Sequence, residues 1–258
     1  MSDTVTRDDA GGVATLTLQR PGLSHALRGD LLAAVQAVGA DESVRAVLIT
    51  GTGRAFCVGQ DLAEHVESLR GNAETSLNVV ADEYNPLMVA LAALRVPVVV
   101  GINGACAGAG LGIALAGDLR IAAAGAKMTT AFIGIGLSSD SALAARLVHS
   151  VGASRATQLL LMPEPFTAET AEQWGLVHRV VPAEQVLTEA QALAARLAAG
   201  PTAAYRGVKT VLATAATDSL EDTLALEARL QAELGRTADH REAVEAFLAK
   251  RAPEFTGR

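Results

Sequence analysis

The sequence predicts an α/β fold. Three observations carry the prediction: apolar runs of strand length, stretches of helical apolar spacing between them, and two glycine-rich loops that are each entered from a strand. Val13 to Leu18 alternates polar and apolar residues like a half-buried strand, and Leu31, Leu32, Val35 and Val38 recur at helical spacing. Ala46-Val47-Leu48-Ile49-Thr50 then reads as a buried strand, completing a strand-helix-strand rhythm. Residues 64–79 are polar and irregular with a break at Gly71-Asn72, and they predict a mobile cover. Helical spacing returns from Pro86 to Leu94, and strands are predicted at Val96-Pro97-Val98-Val99-Val100 and Leu119-Arg120-Ile121. Beyond that point the chain turns mostly helical. Ala183–Ala199, Thr202–Ala216 and Ser219–Leu234 are rich in alanine and leucine, with Gly200-Pro201 as a break. No internal repeat or low-complexity linker is evident.

Composition narrows the class of function. With 258 residues, half of them hydrophobic, the chain can bury a sizeable core, and one large domain is expected. A net charge of −7 offers no basic footprint for nucleic acid or an anionic membrane. Cys57 and Cys106 are too few and wrongly spaced for a zinc site or disulfide framework, and read as small buried hydrophobes in a reducing cytoplasm. The polar, acidic start from Met1 to Asp9 is unlike a secretory signal. Val96 to Gly117 is uncharged and long enough to span a bilayer, yet Pro97, Asn103 and six glycines predict a buried loop instead. The expectation is a cytoplasmic, soluble protein.

The glycine-rich loops are the places to look for chemistry. Ile102-Asn103-Gly104-Ala105-Cys106-Ala107-Gly108-Ala109-Gly110-Leu111-Gly112 follows a strand and leads into the helical Ile113-Ala114-Leu115-Ala116. First-turn N–H groups lack intrahelical partners and sit at the positive end of the helix dipole, so a negative oxygen is stabilised there. The spacing Gly108-x-Gly110-x-Gly112, about a hundred residues into the chain, does not match a dinucleotide fingerprint, and no Gly-Lys-Ser/Thr of a nucleotide triphosphate loop is present. Taken alone, the cluster reads more simply as tight helix-on-sheet packing. A second loop, Gly51-Thr52-Gly53-Arg54-Ala55-Phe56-Cys57-Val58-Gly59-Gln60-Asp61-Leu62, also follows a strand. Two such loops could each aim one amide at a common point, which is how acyl chemistry stabilises an oxyanion.

Over nearly its whole length the chain resembles the enoyl-CoA hydratase/isomerase, or crotonase, superfamily. The matching segments are Arg20-Pro21 through Ala26-Leu27, Gly53 through Leu62, Pro97-Val98 through Asn103-Gly104, Gly108-Ala109-Gly110 and Gly117-Asp118. Further on come Gly136-Leu137 with Asp140, Ala171 through Val177, and Ala246 through Arg251. The resemblance implies a spiral of ββα turns over residues 1–200 that holds an acyl-CoA site. It also implies a helical region over 201–258 that makes a homotrimer, or a hexamer as a dimer of trimers.

The resemblance also assigns roles. The backbone N–H groups of Gln60 and Ala109 would form the oxyanion hole for a thioester carbonyl, each donor worth roughly a hundred- to a thousandfold in rate. Familiar hydratases of this superfamily carry two glutamates, and here those positions hold Gly112 and Phe132, neither of which moves a proton. Asp140 occupies a position where isomerases carry a catalytic carboxylate; the local pattern before Ala142 to Leu147 fits a helix N-cap instead, and both readings stand. Within the isomerases the resemblance is to the ring-1,2-epoxyphenylacetyl-CoA group, through Tyr84-Asn85-Pro86-Leu87, Phe56 to Leu62, Ala131-Phe132 and Asp140. Ser138-Ser139 and His25 depart from that group. Coenzyme A, as part of the substrate and not a cofactor, would be held by Ala26, Leu27, Val58, Gln60, Asp61 and Leu62. Phe247 and Lys250, from the same or a neighbouring subunit, would reach its nucleotide end.

Other side chains could supply a second acid or base. Glu64, Glu67, Asp82, Glu83 and Glu164, with His65 and His149, are possible partners and read more simply as surface. Asp61 is expected to brace its loop and Trp174 to fill a core. No metal, flavin or nicotinamide site is indicated. Hydration by a different acid/base set, an aspartyl intermediate at Asp140, and a catalytically degenerate acyl-CoA binder are the competing readings.

Overall fold

The computed structural model describes residues 3–258. The chain opens with β1 (Val5–Ala10) and β2 (Val13–Leu18), followed by α1 (His25–Ala40), β3 (Ala46–Gly51) and β4 (Ala55–Cys57). Next come α2 (Leu62–Gly71), a π-helical turn at Val80–Tyr84 that runs into α3 (Asn85–Ala93), β5 (Val98–Ile102), β6 (Ala105–Ala107) and α4 (Ala109–Ala116). After β7 (Leu119–Ala123) and β8 (Lys127–Thr129), a short 3-10 turn at Phe132–Ile135 precedes α5 (Leu143–Leu161). The remainder is β9 (Phe166–Thr167), α6 (Ala168–Gln173), β10 (Arg179–Val181), α7 (Val186–Ala198), α8 (Thr202–Thr214), α9 (Leu220–Leu234) and α10 (Ala238–Ala249).

Two sheets organise this chain. The larger has the order β1-β2-β3-β5-β7-β10, parallel except for the β1-β2 hairpin, and the smaller has the order β4-β6-β8-β9. Each of the pairs β3/β4, β5/β6 and β7/β8 gives one strand to each sheet, and β5/β6 and β7/β8 are followed by α4 and α5. The ββα turn therefore repeats in space although no repeat is visible in the sequence. A repeat of this kind asks only for apolar strands and short connections, which many sequences satisfy.

The central strands β3 and β5 are buried along almost their whole length, as continuous apolar runs in a parallel sheet require. Helix α7 packs on β3, β5 and β7 through Ala190, Ala194 and Ala198, whose small side chains let the helix lie close. Ser24 caps α1, its side chain accepting from the Leu27 amide, which starts that helix just ahead of its buried stripe Leu27, Leu31, Val35 and Val38.

Several expectations are corrected. Residues 62–71 are not irregular: Asp61 accepts from the Ala63 and Glu64 amides and so starts α2, a helix in which Leu62, Val66 and Leu69 keep helical spacing among polar residues. The segment Val96 to Gly117 is not a loop but β5, β6 and α4, all largely buried. The strand β1 leaves no apolar pattern in the sequence because only Val5 of its residues is buried; its charged face suits a sheet edge. Trp174 is half-buried at the margin of the core, its ring 5.2 Å from that of Phe166 with the Arg155 guanidinium 4.9 Å from its centroid. Among the described residues, no helix is long and apolar enough to cross a membrane.

Candidate functional site

The two glycine loops lie against one another. Asn103 knits them: its Oδ1 accepts from the Gly51 amide at 3.1 Å and its Nδ2 donates to the Gly53 and Ala55 carbonyls, each at 3.1 Å. A Cβ at Gly110 would stand 2.2 Å from the Cys57 carbonyl oxygen, so only glycine allows this approach. Gly59 and Gly108, which precede the two amides of interest, hold φ of 87° and 53°. A Cβ on Gly59 would lie 3.6 Å from the Ala109 nitrogen, which places the two loops' functional backbone side by side.

The amides themselves are left open. Around Gln60, the Leu23 amide donates to the Gly59 carbonyl and the Asp61 amide to the Leu23 carbonyl. Gln60 N–H donates to no described residue, and neither does Ala109 N–H, the first amide of α4. Unpaired first-turn donors at the positive end of a helix are suited to a developing negative oxygen.

Both amides border a cavity of about 400 Å³ that Asp140 also lines. Its remaining wall is mostly apolar, with Val58, Leu62, Val80, Phe132 and Leu137 among its members. Burial pushes the Asp140 carboxyl above the usual carboxylate range, opposed by a hydrogen bond from the Ser141 hydroxyl at 2.8 Å. The structure decides against the capping alternative: α5 starts at Leu143, Ala142 is its N-cap, and no side chain caps it. The Leu143 amide reaches only the Asp140 main-chain carbonyl.

The other candidate carboxylates are elsewhere or engaged. Arg28, itself buried, donates to the Leu23 carbonyl and, at 2.6 Å, to Glu83; Glu64 lies 3.8 Å from it and also accepts from the His25 amide. Burial raises the Glu83 carboxyl, but hydrogen bonds from Arg28 and His25 outweigh it and hold it below its usual range. Glu83 is thus a counterion and not a free base. Glu67, Asp82, Glu164 and His149 are exposed and do not line the cavity. His65 does line it, with Nδ1 3.5 Å from the Gln60 side-chain nitrogen.

Of the residues assigned to coenzyme A, Val58, Gln60 and Leu62 line the cavity. Leu27 is fully buried in the core, Ala26 is exposed one position before it, and the Asp61 carboxylate is occupied capping α2. Phe247 and Lys250 are exposed at the end of α10, away from the cavity lining. Sequence reasoning missed Ser141, whose role needs three-dimensional contact. It singled out Tyr84 only as part of a resemblance; this side chain is buried on the cavity wall with the Arg28 guanidinium 5.2 Å from its ring centroid.

Cys57 and Cys106 are buried as expected, and burial pushes the Cys57 thiol up to about 12. Both thiols are therefore expected to resist a thiol-specific chromogenic reagent in the native protein and to react promptly in denaturant. A rapid native reaction of either would contradict this packing.

Comparison with known proteins settles the kinship. The family model described as Enoyl-CoA hydratase/isomerase matches residues 8–258. The chain belongs to the enoyl-CoA hydratase/isomerase family. It is 44% identical over 260 residues to a protein named "Probable enoyl-CoA hydratase" from Rhodobacter capsulatus, covering 99% of this chain and 98% of that one. It is 41% identical over 251 residues to the 1,2-epoxyphenylacetyl-CoA isomerase of Escherichia coli, covering 96% of each. A crystal structure from Mycobacterium abscessus, assigned to the enoyl-CoA hydratases/isomerases, superposes with a TM-score of 0.97 at 50% identity, covering 98% of this chain and 100% of that one. The crotonase fold expected from sequence is thereby established, and an acyl-CoA substrate fits the family.

Proposed function

We propose that this enoyl-CoA hydratase/isomerase family member is an acyl-CoA double-bond isomerase with Asp140 as its shuttling base. The observation that carries the reading is one carboxylate sharing an apolar cavity with two open main-chain amides, while positions 112 and 132 bear no acid. A 3-enoyl thioester bound with its carbonyl oxygen on the Gln60 and Ala109 amides would present its α-carbon to Asp140. The carboxylate takes the α-proton, the electron pair moves into the dienolate, and the negative charge settles on the thioester oxygen. Asp140 then returns the same proton to the γ-carbon. The double bond ends in conjugation with the carbonyl, and no water is consumed. The mostly apolar lining supports this, because apart from Asp140 it offers no carboxylate to activate a water.

The kinship includes both activities by name, and a relative named as an isomerase supports the choice made here. Incubation with trans-3-hexenoyl-CoA is expected to produce the absorbance of a conjugated thioester. No conversion by the intact protein would remove the reading. Loss of the conjugated absorbance on adding crotonyl-CoA would instead favour hydration. The exposed Val208, Leu212, Leu220 and Leu224 on α8 and α9 support assembly through residues 201–258 into a homotrimer or a hexamer of two trimers. We place the protein in the cytoplasm on the same reading, with coenzyme A entering only as part of the substrate.

A further inference from the structure

Ser141 joins three observations that lie outside the roles assigned above. Its hydroxyl donates to Asp140 Oδ1 at 2.8 Å, and its side chain is buried. Oδ2 of Asp140 has no partner among the described residues, so the bond anchors one oxygen and leaves the other for a proton. Second, Ser141 and Ala142 hold φ of 52° and 55°, successive left-handed residues of a kind that L side chains rarely adopt. Such outliers persist only where the surroundings over-determine them, and they cluster at working sites. Third, a Cβ on Gly112 would stand 2.7 Å from the Ser141 carbonyl oxygen and 2.8 Å from its Cβ. Gly112 belongs to α4, the same helix whose first amide is that of Ala109.

We propose that Ser141 is the positioning residue for Asp140, and that the bare Gly112 is the other half of the same device. The strained turn carries the hydroxyl to the carboxylate, and it does so by occupying the space that a side chain at 112 would need. A side chain at position 112 and this placement of Asp140 are therefore mutually exclusive. The inference rests on Asp140 being the base, and it adds what holds that base in register with the oxyanion amides. The other ionisable groups on the cavity wall are His65 and Tyr84, and burial holds the Tyr84 phenol above its usual range, so it stays neutral beside Asp140.

The test compares Ser141→Ala with Ser141→Gly. Both delete the hydroxyl, but glycine accepts a left-handed φ without strain. If Ser141 only shapes the turn, Ser141→Gly keeps wild-type behaviour. If it positions Asp140, both variants lower kcat roughly tenfold with KM within about twofold, since a hydrogen bond to a charged group is lost. Both also move the acid limb of kcat to higher pH, because the carboxylate form loses its donor. A second readout needs no turnover: the Asp140 carboxyl titration followed by carbon-13 NMR, its resonance identified by its loss in Asp140→Asn. That titration is expected to shift upward in both Ser141 variants, and Gly112→Ala is expected to reproduce the loss of kcat. An unchanged titration and wild-type kcat in Ser141→Gly would overturn the inference. Failure of the intact protein to isomerise 3-enoyl thioesters would instead overturn the base assignment, and the NMR arm separates the two.

Discussion

Asp140→Asn is expected to abolish double-bond migration while leaving a folded protein that melts at a higher temperature near neutral pH. The loss of rate should be about 10²- to 10⁴-fold, the range that a positioned general base supplies. Binding of a saturated acyl-CoA should change little, because the amide keeps the shape of the carboxylate. The gain in stability follows from the direction of the pKa shift. Burial raises the Asp140 carboxyl in the folded state. Above that raised pKa the fold therefore carries a charge it disfavours, whereas below the ordinary carboxylate pKa both folded and unfolded states are protonated and the cost is absent. Removing the charge should thus stabilise at pH 7, with the difference closing as the pH falls through the carboxylate range. Activity has the opposite sense: it should rise with pH through the folded pKa, as the base form appears. Thermal melts of both proteins across pH, beside kcat profiles, check each half. An Asp140→Asn protein as active as its parent, or one destabilised at neutral pH, would refute this account of the site.

Gly110→Ala should cripple the protein by a different route. The added methyl would fall 2.2 Å from the Cys57 carbonyl oxygen and 2.8 Å from the Cys57 Cβ, and neither main chain can yield without separating the two loops. Overpacking of this kind costs about 3 kcal/mol, or roughly 6–12 °C in melting temperature for a chain of this size. Because Ala109 immediately precedes Gly110, parting the loops also moves one oxyanion donor away from the other. A fall in kcat of about 10²- to 10³-fold is expected for the molecules that remain folded. Gly29→Ala is the control: nothing lies within 4 Å of a Cβ there, and α1 should gain slightly from the change. Differential scanning calorimetry of both variants, with activity measured below the lower melting point, reads the effect. A Gly110→Ala protein with native stability would mean that the loops are not in contact.

The legibility of this protein varies with how its residues are packed. β3 and β5 can be read because strands buried on both faces must be apolar throughout, and Ala46 to Thr50 and Val98 to Val100 are. β4 and β6 cannot, since three-residue strands inside glycine-rich segments carry no period. Helix α2 is hidden for a different reason: Asp61 caps it and Leu62, Val66 and Leu69 keep helical spacing, but none of its residues is buried and the polar residues between them read as loop. The two loops are legible as a candidate site because glycines after strands are locally unusual. Asp140 is ambiguous in sequence, because serines and an aspartate ahead of a helical run look alike whether they cap or catalyse.

Composition, strand runs and the glycine segments by themselves determined an α/β chain with two backbone-lined loops, and the family resemblance pointed to Gln60, Ala109 and Asp140. Tertiary structure alone decided that those three border one cavity. It also decided that Asp140 leaves α5 uncapped and that Ser141 fills the space above Gly112. The reason is physical: apolar period and backbone freedom are properties of neighbouring residues, whereas an open amide, a desolvated carboxylate and a forbidden Cβ exist only once distant segments are brought within a few ångströms.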